Sequence, residues 1–436
     1  MDAVVKQQSR RERAAARRGT GQRAALGLEA EFAVVMDGER VKPEDVFGSP
    51  RAIVRGPMMH RVGRSYHLPT GGAVYFDTGV IETATPMIEI APGCAARAGR
   101  SLWESIRFLR EELDDWERRE GKQVQLAGFS AHYNVSFDLP RDEQRPGRTV
   151  QDLAVLLTYV LPFPVMLLAA NRENTGIGVR PRGNRIEITA DFTPDPALMI
   201  AAATLIVGVV REVMTWPSYA LPELDGRDLP VPGDFAPIPH SSRKGWVAKY
   251  SCFAANPFQS DVDEATWTTR GGERLSLREI AGRTTRYFSH AIRRYADPVS
   301  LRLIGAVMRG RAPSLLELDE RPASYADVGR LCTWGDLFPE NLLPRSEYEQ
   351  ILLYAVQRQP LWVDDDWQEP TAVRGWTQVV FRRRGDGTRR VYSLDDLLAH
   401  LRDWGAGPGE RKGRSRRRTI RPRARVTAGR GTRGSA

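Results

Sequence analysis

The sequence predicts an α+β protein, and three observations carry that prediction. Stretches at 25–38, 71–90, 123–138 and 180–192 alternate apolar and polar residues at the two-residue period of a half-buried strand. The stretches 101–120, 150–171 and 196–214 instead place apolar residues at helical spacing or in solid runs. The acids within the strand patterns sit among valines, isoleucines and phenylalanines, so they belong to a sheet facing a cleft rather than to solvated loops.

Residues 1–24 carry Arg10, Arg11, Arg13, Arg17, Arg18 and Arg23 among alanines and read as a solvated basic arm. From Ala25 onward a strand alternates, with Leu28, Ala30 and Phe32 on one side and Glu29 and Glu31 on the other, and Gly38 closes it as a turn. A connection rich in proline and glycine fills 42–64. In 71–90, GGAVYFDTGVIETATPMIEI, two glycines let the backbone turn before a strand in which Val74 and Phe76 alternate with Tyr75 and Asp77. The helix at 101–120 gathers Leu102, Ile106, Leu109, Leu113 and Trp116 on one face and ends at Gly121. The strand at 123–138 carries His132 and Asn134, two positions apart and therefore on one face.

A helical stretch at 150–171 is interrupted by Pro162 and Pro164. The pattern at 180–192 reads as one strand, with Arg185, Glu187 and Thr189 opposite Ile186 and Ile188. Thr193 is placed to cap the helix at 196–214, whose uncharged run at 196–210 is too short to span a bilayer. Residues 217–240 read as a proline-rich surface crossing, and 275–295, 299–308 and 348–356 as helices. A hairpin is expected from 376–382 and 389–392 around the GDG at 385–387, then a short helix at 394–404.

The net charge of +10 over 436 residues is misleading. From 409 to 436 eleven Arg and Lys face the single Glu410, so the excess belongs to a tail and residues 1–408 are neutral. That tail suits an acidic protein partner or non-specific nucleic-acid binding, without an aromatic residue to stack on bases. Cys94, Cys252 and Cys332 lie far apart, which argues against a disulfide framework and fits a reducing cytoplasm. No secretory signal or membrane span is expected.

Four strand patterns thus present polar groups on one face: Glu29/Glu31, Tyr75/Asp77 with Glu82, His132/Asn134, and Arg185/Glu187. Crowded carboxylates resist ionising unless a cation is present. Several carboxylates with oxygen donors favour Mg²⁺ or Mn²⁺ over zinc. Magnesium held this way normally bridges phosphates, which points to ATP, here without a GxxxxGK[ST] loop.

Four motifs also resemble one family in order. GLEAEF at 27–32, GGAVYFDTGVIETATP at 71–86, FSAHYNVS at 129–136 and the strand-and-helix at 185–210 are similar to segments of the Pup ligase and Pup deamidase family. The wider group is the carboxylate–amine ligases with a glutamine-synthetase-like fold. The resemblance implies a curved antiparallel β-sheet whose concave face binds ATP and Mg²⁺, with helices packed on its convex face. It implies metal ligation by Glu29, Tyr75 and Glu82, a catalytic base at Asp77, and nucleotide contacts at Thr85 and Trp376. Glu31 and Glu187 are further carboxylate candidates for metal. Arg185 is a candidate to steady the transferred phosphoryl group. Asn134 is a candidate for nucleotide, and His132 stands between a metal or phosphate contact and a structural role.

The family's nucleotide-contacting arginine falls on Ala73, and its His-Pro pair on Val80 and Ile81. The long insertion that marks the deamidase after the first strand is absent. The resulting expectation is an ATP- and Mg-dependent ligase joining a carboxylate to an amine through an acyl phosphate, its substrates extending to a small protein modifier and a protein target. The alternatives are an inactive nucleotide-binding scaffold and an amide hydrolase of the deamidase kind. The expected organisation is a basic arm at 1–24, a catalytic domain at 25–345, a small C-terminal α/β region at 346–404 and an arginine-rich tail at 405–436.

Overall fold

The computed structural model describes residues 23–136, 147–174, 176–241, 244–318, 327–330, 344–364 and 366–401. The basic arm up to residue 22, the arginine-rich tail and Cys332 lie outside the described residues.

The chain opens with β1 (Ala25–Met36) and β2 (Glu39–Val41), then two short helices, α1 (Pro43–Phe47) and α2 (Pro50–Ile53). Next come β3 (Met59–Val62), β4 (Ser65–His67), β5 (Ala73–Asp77), β6 (Val80–Ala84) and β7 (Ile88–Glu89). The long helix α3 (Cys94–Glu120) leads to β8 (Val124–Ser136), α4 (Val150–Val160) and α5 (Pro162–Ala169). Then follow β9 (Ile177–Arg182), β10 (Arg185–Asp191), α6 (Pro196–Val213), β11 (Ile238–Pro239) and β12 (Trp246–Ala248). These strands form one curled antiparallel sheet of 12 strands in the order β11-β12-β9-β10-β8-β1-β6-β5-β4-β3, with β2 and β7 paired to the ends of β1. A two-stranded pair, β13 (Trp267–Thr268) and β14 (Arg274–Leu275), precedes the helices α7 (Leu277–Tyr287), α8 (Ser289–Tyr295) and α9 (Pro298–Val307).

Cross-strand partners share a face, so the register assigns every side chain to a side of the sheet. On one side lie Leu26, Leu28, Ala30 and Phe32 of β1, Ala131, Tyr133 and Val135 of β8, and Ile186 and Ile188 of β10, all buried. Helices α3, α4, α5 and α6 pack against this convex, apolar side. Helix α6 is apolar and long enough to cross a membrane, but it is buried inside the protein instead.

Several elements differ from the sequence-based expectation. The segment at 180–192 is a hairpin rather than one strand: β9 turns back into β10 at Gly183 and Asn184. The helix after Thr193 is capped by Asp195, whose Oδ1 accepts the N–H groups of Ala197 and Leu198 at 2.8 and 3.3 Å. Pro196 at the first helical position holds its predecessor extended, the geometry an N-cap needs, so the cap falls on Asp195. Pro162 bends α4 against α5 by 63°. The expected helix at 275–295 breaks at Phe288 into α7 and α8.

The C-terminal region holds more sheet than expected. Beside α10 (Glu347–Val356) and α11 (Leu394–Leu401) stand β15 (Leu361–Val363), β16 (Asp366–Arg374), β17 (Gln378–Arg383) and β18 (Arg389–Ser393), paired in that order. Their core, around Ile351, Leu352, Val373, Phe381 and Leu397, includes Ala25 and Met59 of the large sheet. Glu349, fully buried, accepts two bonds from Arg100 of α3 at 2.7 and 2.8 Å and one from Arg345 at 2.6 Å. Glu89 of β7 accepts the Tyr348 N–H at 2.6 Å in the first turn of α10.

Of the two glycines at 71–72, Gly71 has the positive φ, +91°, and Gly72 serves close packing. A Cβ on Gly72 would stand 2.3 Å from Ser105 Oγ and 2.7 Å from the Ala84 carbonyl oxygen. Gly72→Ala is therefore expected to destabilise the fold by roughly 1–3 kcal/mol, the usual cost of overpacking. Chemical denaturation measures this, and an unchanged midpoint would contradict the close approach of α3 to β6.

Candidate functional site on the concave face

The side of the sheet facing away from α3, α4, α5 and α6 is polar, and the register arranges it in rows. One row runs Tyr75, Glu82, Glu31, Ser130 and Asp191 across β5, β6, β1, β8 and β10. The next holds Ala73, Ala84, Glu29, His132, Thr189 and Gly178. A third holds Gly27, Asn134, Glu187 and Arg180, and beyond it lie Ser136, Arg185 and Arg182. Acids thus crowd one end of the face and arginines the other.

At the centre, one ligand atom each from Glu29, Glu82 and His132 lies within 4.8 Å of the others. His132 Nδ1 stands 3.2 Å from Glu29 Oε2, and its Nε2 3.6 Å from Glu31 Oε1. Ser130 Oγ donates to Glu31, and the Tyr75 hydroxyl to Glu82. Glu29 and Glu82 face each other within this cluster, close enough for their ionisation to be coupled.

The electrostatics follow from burial. Burial first, then the charge of Glu29, pushes the Glu82 carboxyl far above its ordinary range, so it retains a proton. Burial works in the same direction on Glu29, but the hydrogen bond and charge of His132, with Arg185 behind them, hold it below the usual value. For His132, burial opposes the charged form, yet Glu29 and Glu31 prevail and its pKa rises. The groups that could hold a cation are two carboxylates and a phenol, joined by the His132 imidazole once it has lost its proton.

The basic end balances several arginines on one acid. Glu187 receives Arg182 through Nε at 2.8 Å and Nη2 at 3.0 Å, Arg180 also pairs with it, and Arg185 Nη2 lies 3.9 Å away. Arg185 Nε donates to Asn134 Oδ1 at 2.6 Å. Glu187 thus meets guanidinium groups and stands apart from the three clustered ligand atoms. A cavity of about 370 Å³ opens beside Arg182, Gly183 and Lys244.

The remaining sequence-derived candidates are spread around this centre. Asp77 shares the face of Tyr75 and Glu82 but is exposed at the tip of the β5–β6 hairpin, where it accepts from Thr78 Oγ1 at 2.8 Å. The tip is a two-residue turn with φ of 51° at Thr78 and 91° at Gly79. Thr85 is buried, and its hydroxyl oxygen accepts the Leu28 N–H at 3.0 Å. Trp376 lies in the β16–β17 turn and reaches the opposite edge of the face, with its ring centre 5.5 Å from that of His67.

Sequence reasoning missed Ser130, Asp191, Arg180, Arg182, Arg61 and His67. Ser130 was within reach, two positions before His132 on the same strand. Arg180 and Arg182 required the β9–β10 hairpin. Arg61 stands where the β3–β4 register slips, and no periodicity marks it. Its guanidinium carbon lies 4.4 Å from the ring centre of Trp376 and 5.2 Å from that of Tyr75. Burial, then the charge of Arg61, pushes the His67 imidazole down to about 4, so it is neutral.

No protein-family model matches the chain, and no curated protein does. Solved structures of the family that the four motifs resemble are similar to it. The crystal structure of the complex between the prokaryotic ubiquitin-like protein Pup and its ligase PafA shares 11% identity at a TM-score of 0.49, covering 87% of this chain and 92% of that one. The Pup ligase PafA in complex with ADP shares 12% identity at a TM-score of 0.41, covering 83% and 93%.

The proton on Glu82 gives a stability test in chelator. Its folded pKa lies above the unfolded value of about 4.5, so the folded state binds more protons and this contribution falls as pH rises through neutrality. Glu82→Gln removes that loss, and its unfolding temperature should decline less than the wild type's from pH 6 to pH 9. Glu29→Gln should instead lower stability throughout, because His132 loses its carboxylate. Parallel pH profiles for Glu82→Gln and wild type would contradict the trapped proton.

Proposed function

We propose that this chain is an ATP- and magnesium-dependent ligase that joins a carboxylate to an amine through an acyl phosphate. The observation that carries the reading is the convergence of Glu29, Glu82 and His132 within 4.8 Å at the centre of a polar concave face. The order of the four motifs along the chain supports the same reading.

Glu29, Glu82 and His132, with Tyr75 and Glu31 beside them, would hold the metal. Bound there, magnesium would offset the charge on the triphosphate and on the attacking carboxylate. The substrate carboxylate attacks the γ-phosphorus of ATP, and ADP leaves. The amine then attacks the acyl carbon, phosphate leaves, and the amine's proton must be taken up. Asp77 is the acceptor on this reading, an exposed carboxylate on the same face, two residues beyond Tyr75. Arg185, with Arg182 behind it, presents N–H donors to the transferred phosphoryl group.

A second reading, a nucleotide-binding scaffold, draws on one observation: Asp77 lies outside the clustered acids, at a hairpin tip. Turnover separates the two. The ligase reading expects ADP formation that requires Mg²⁺ and rises when a carboxylate and an amine are both supplied. Asp77→Asn should lower that rate by roughly 10²–10⁴-fold, the usual worth of a general base, and Glu29→Ala should abolish it. Turnover indifferent to Mg²⁺ would overturn the ligase reading, and ATP binding without turnover over a broad screen of acids and amines would favour the scaffold.

A further inference from the structure

The edge of the concave face under the C-terminal sheet holds a cation, Arg61, that feels the charges of Glu29 and Glu82 but, among the described residues, forms no ion pair with them. Arg61 lies in β3 where the pairing with β4 shifts between His60 and Val62, and that irregularity brings its side chain against Ser65 and Tyr75. Nε donates to Ser65 Oγ at 2.7 Å. The guanidinium is flanked by the Tyr75 ring at 5.2 Å and the Trp376 ring at 4.4 Å. Among the described residues no ion pair forms with it, and its Nη groups make no hydrogen bond.

Such an arrangement is costly unless something completes it. The residue is half-buried, and two rings compensate a lost hydration shell less well than an anion does. The Ser65 bond and the two flanking rings restrain the side chain while its outer N–H groups stay uncommitted, which leaves the fork able to take phosphate or carboxylate. Tyr75 ties this edge to the acid cluster, since its ring flanks Arg61 and its hydroxyl donates to Glu82. An anion that meets both Arg61 and a metal at Glu29, Glu82 and His132 must be extended and multiply charged. A triphosphate chain meets both demands, whereas a single carboxylate meets one.

We propose that Arg61, held between Tyr75 and Trp376, is the arginine that grips the phosphate chain of the nucleotide at this edge of the face. The proposal rests on the ATP-dependent reading above and names a contact that the sequence motifs do not contain. It also gives the C-terminal sheet a task, because Trp376 comes from the β16–β17 turn and orients a residue of the large sheet.

The test is calorimetry on the full chain with MgATP and with magnesium tripolyphosphate, which lacks base and sugar. Arg61→Gln should weaken both by a similar factor, roughly ten- to hundredfold, the worth of a charge-assisted hydrogen bond to phosphate. Arg61→Lys keeps the charge without the planar fork, and should fall between wild type and Arg61→Gln. Without nucleotide, the unfolding temperature of Arg61→Lys should match wild type, which keeps the test valid should Arg61→Gln fold poorly. Unchanged MgATP affinity in both variants overturns the proposal alone. So does a loss seen with MgATP and absent with tripolyphosphate, which would put Arg61 at the base. A wild-type chain that binds neither ligand removes the ATP-dependent reading, and this proposal with it.

Discussion

The position of β1 between β6 and β8 is the constraint on which the site depends. Both neighbours pair with it antiparallel, and the two registers together put Glu29 beside His132 and Glu31 beside Glu82. Because side chains alternate, a slip of one residue would carry both glutamates into the apolar layer and Leu28 and Ala30 into the cleft. That exchange is prohibitive, since the convex side is packed by four helices and a carboxylate there would find no partner. The hydrophobic pattern of one strand therefore fixes the positions of charges drawn from residues about a hundred apart in sequence. The β-bulge after Glu31 comes only once the glutamates are aligned, and it lets the strand bend onward to Met36.

The charges on the concave face form a gradient. Acids concentrate on the rows of Glu29 and Glu31, arginines on the rows of Asn134 and Ser136, and His132 sits where the two meet. A face so divided is suited to hold a cation at one end and an anion at the other. Its acids do not all ionise together: burial, then the charge of Glu29, leaves Glu82 protonated. The ionisation state of the cluster is thus a property of the pair, and a divalent ion would replace the proton on Glu82.

Much of this was legible in the sequence, and the reasons for the rest are physical. Glu29, Glu31, His132 and Asn134 could be read because long strands with one buried face announce their alternation. Tyr75 and Glu82 were legible as residues of one acid-rich wall, but their pairing depends on the turn at Thr78 and Gly79, which sets the register of the hairpin. Arg180 and Arg182 stayed hidden because Arg-Pro-Arg-Gly-Asn continues a strand pattern while reversing the chain. Arg61 escaped because a slipped register carries no period. The strands β15 and β16 were missed for another reason: a run of acids and a proline lies over a core supplied largely by α10 and α11.

The second core has a bearing on how the polypeptide comes together. Ala25 and Met59, which lead into β1 and β3, are buried among residues numbered 348 to 398, and the carboxylate of Glu349 is sealed against Arg100. Strand β1 therefore waits for segments more than three hundred residues further along the chain before its own edge is covered. Neither half is a detachable module in the ordinary sense. Synthesis must pass Leu398 before this wall is complete, and a chain lacking 348–398 would present a wet seam where Ala25 and Met59 belong.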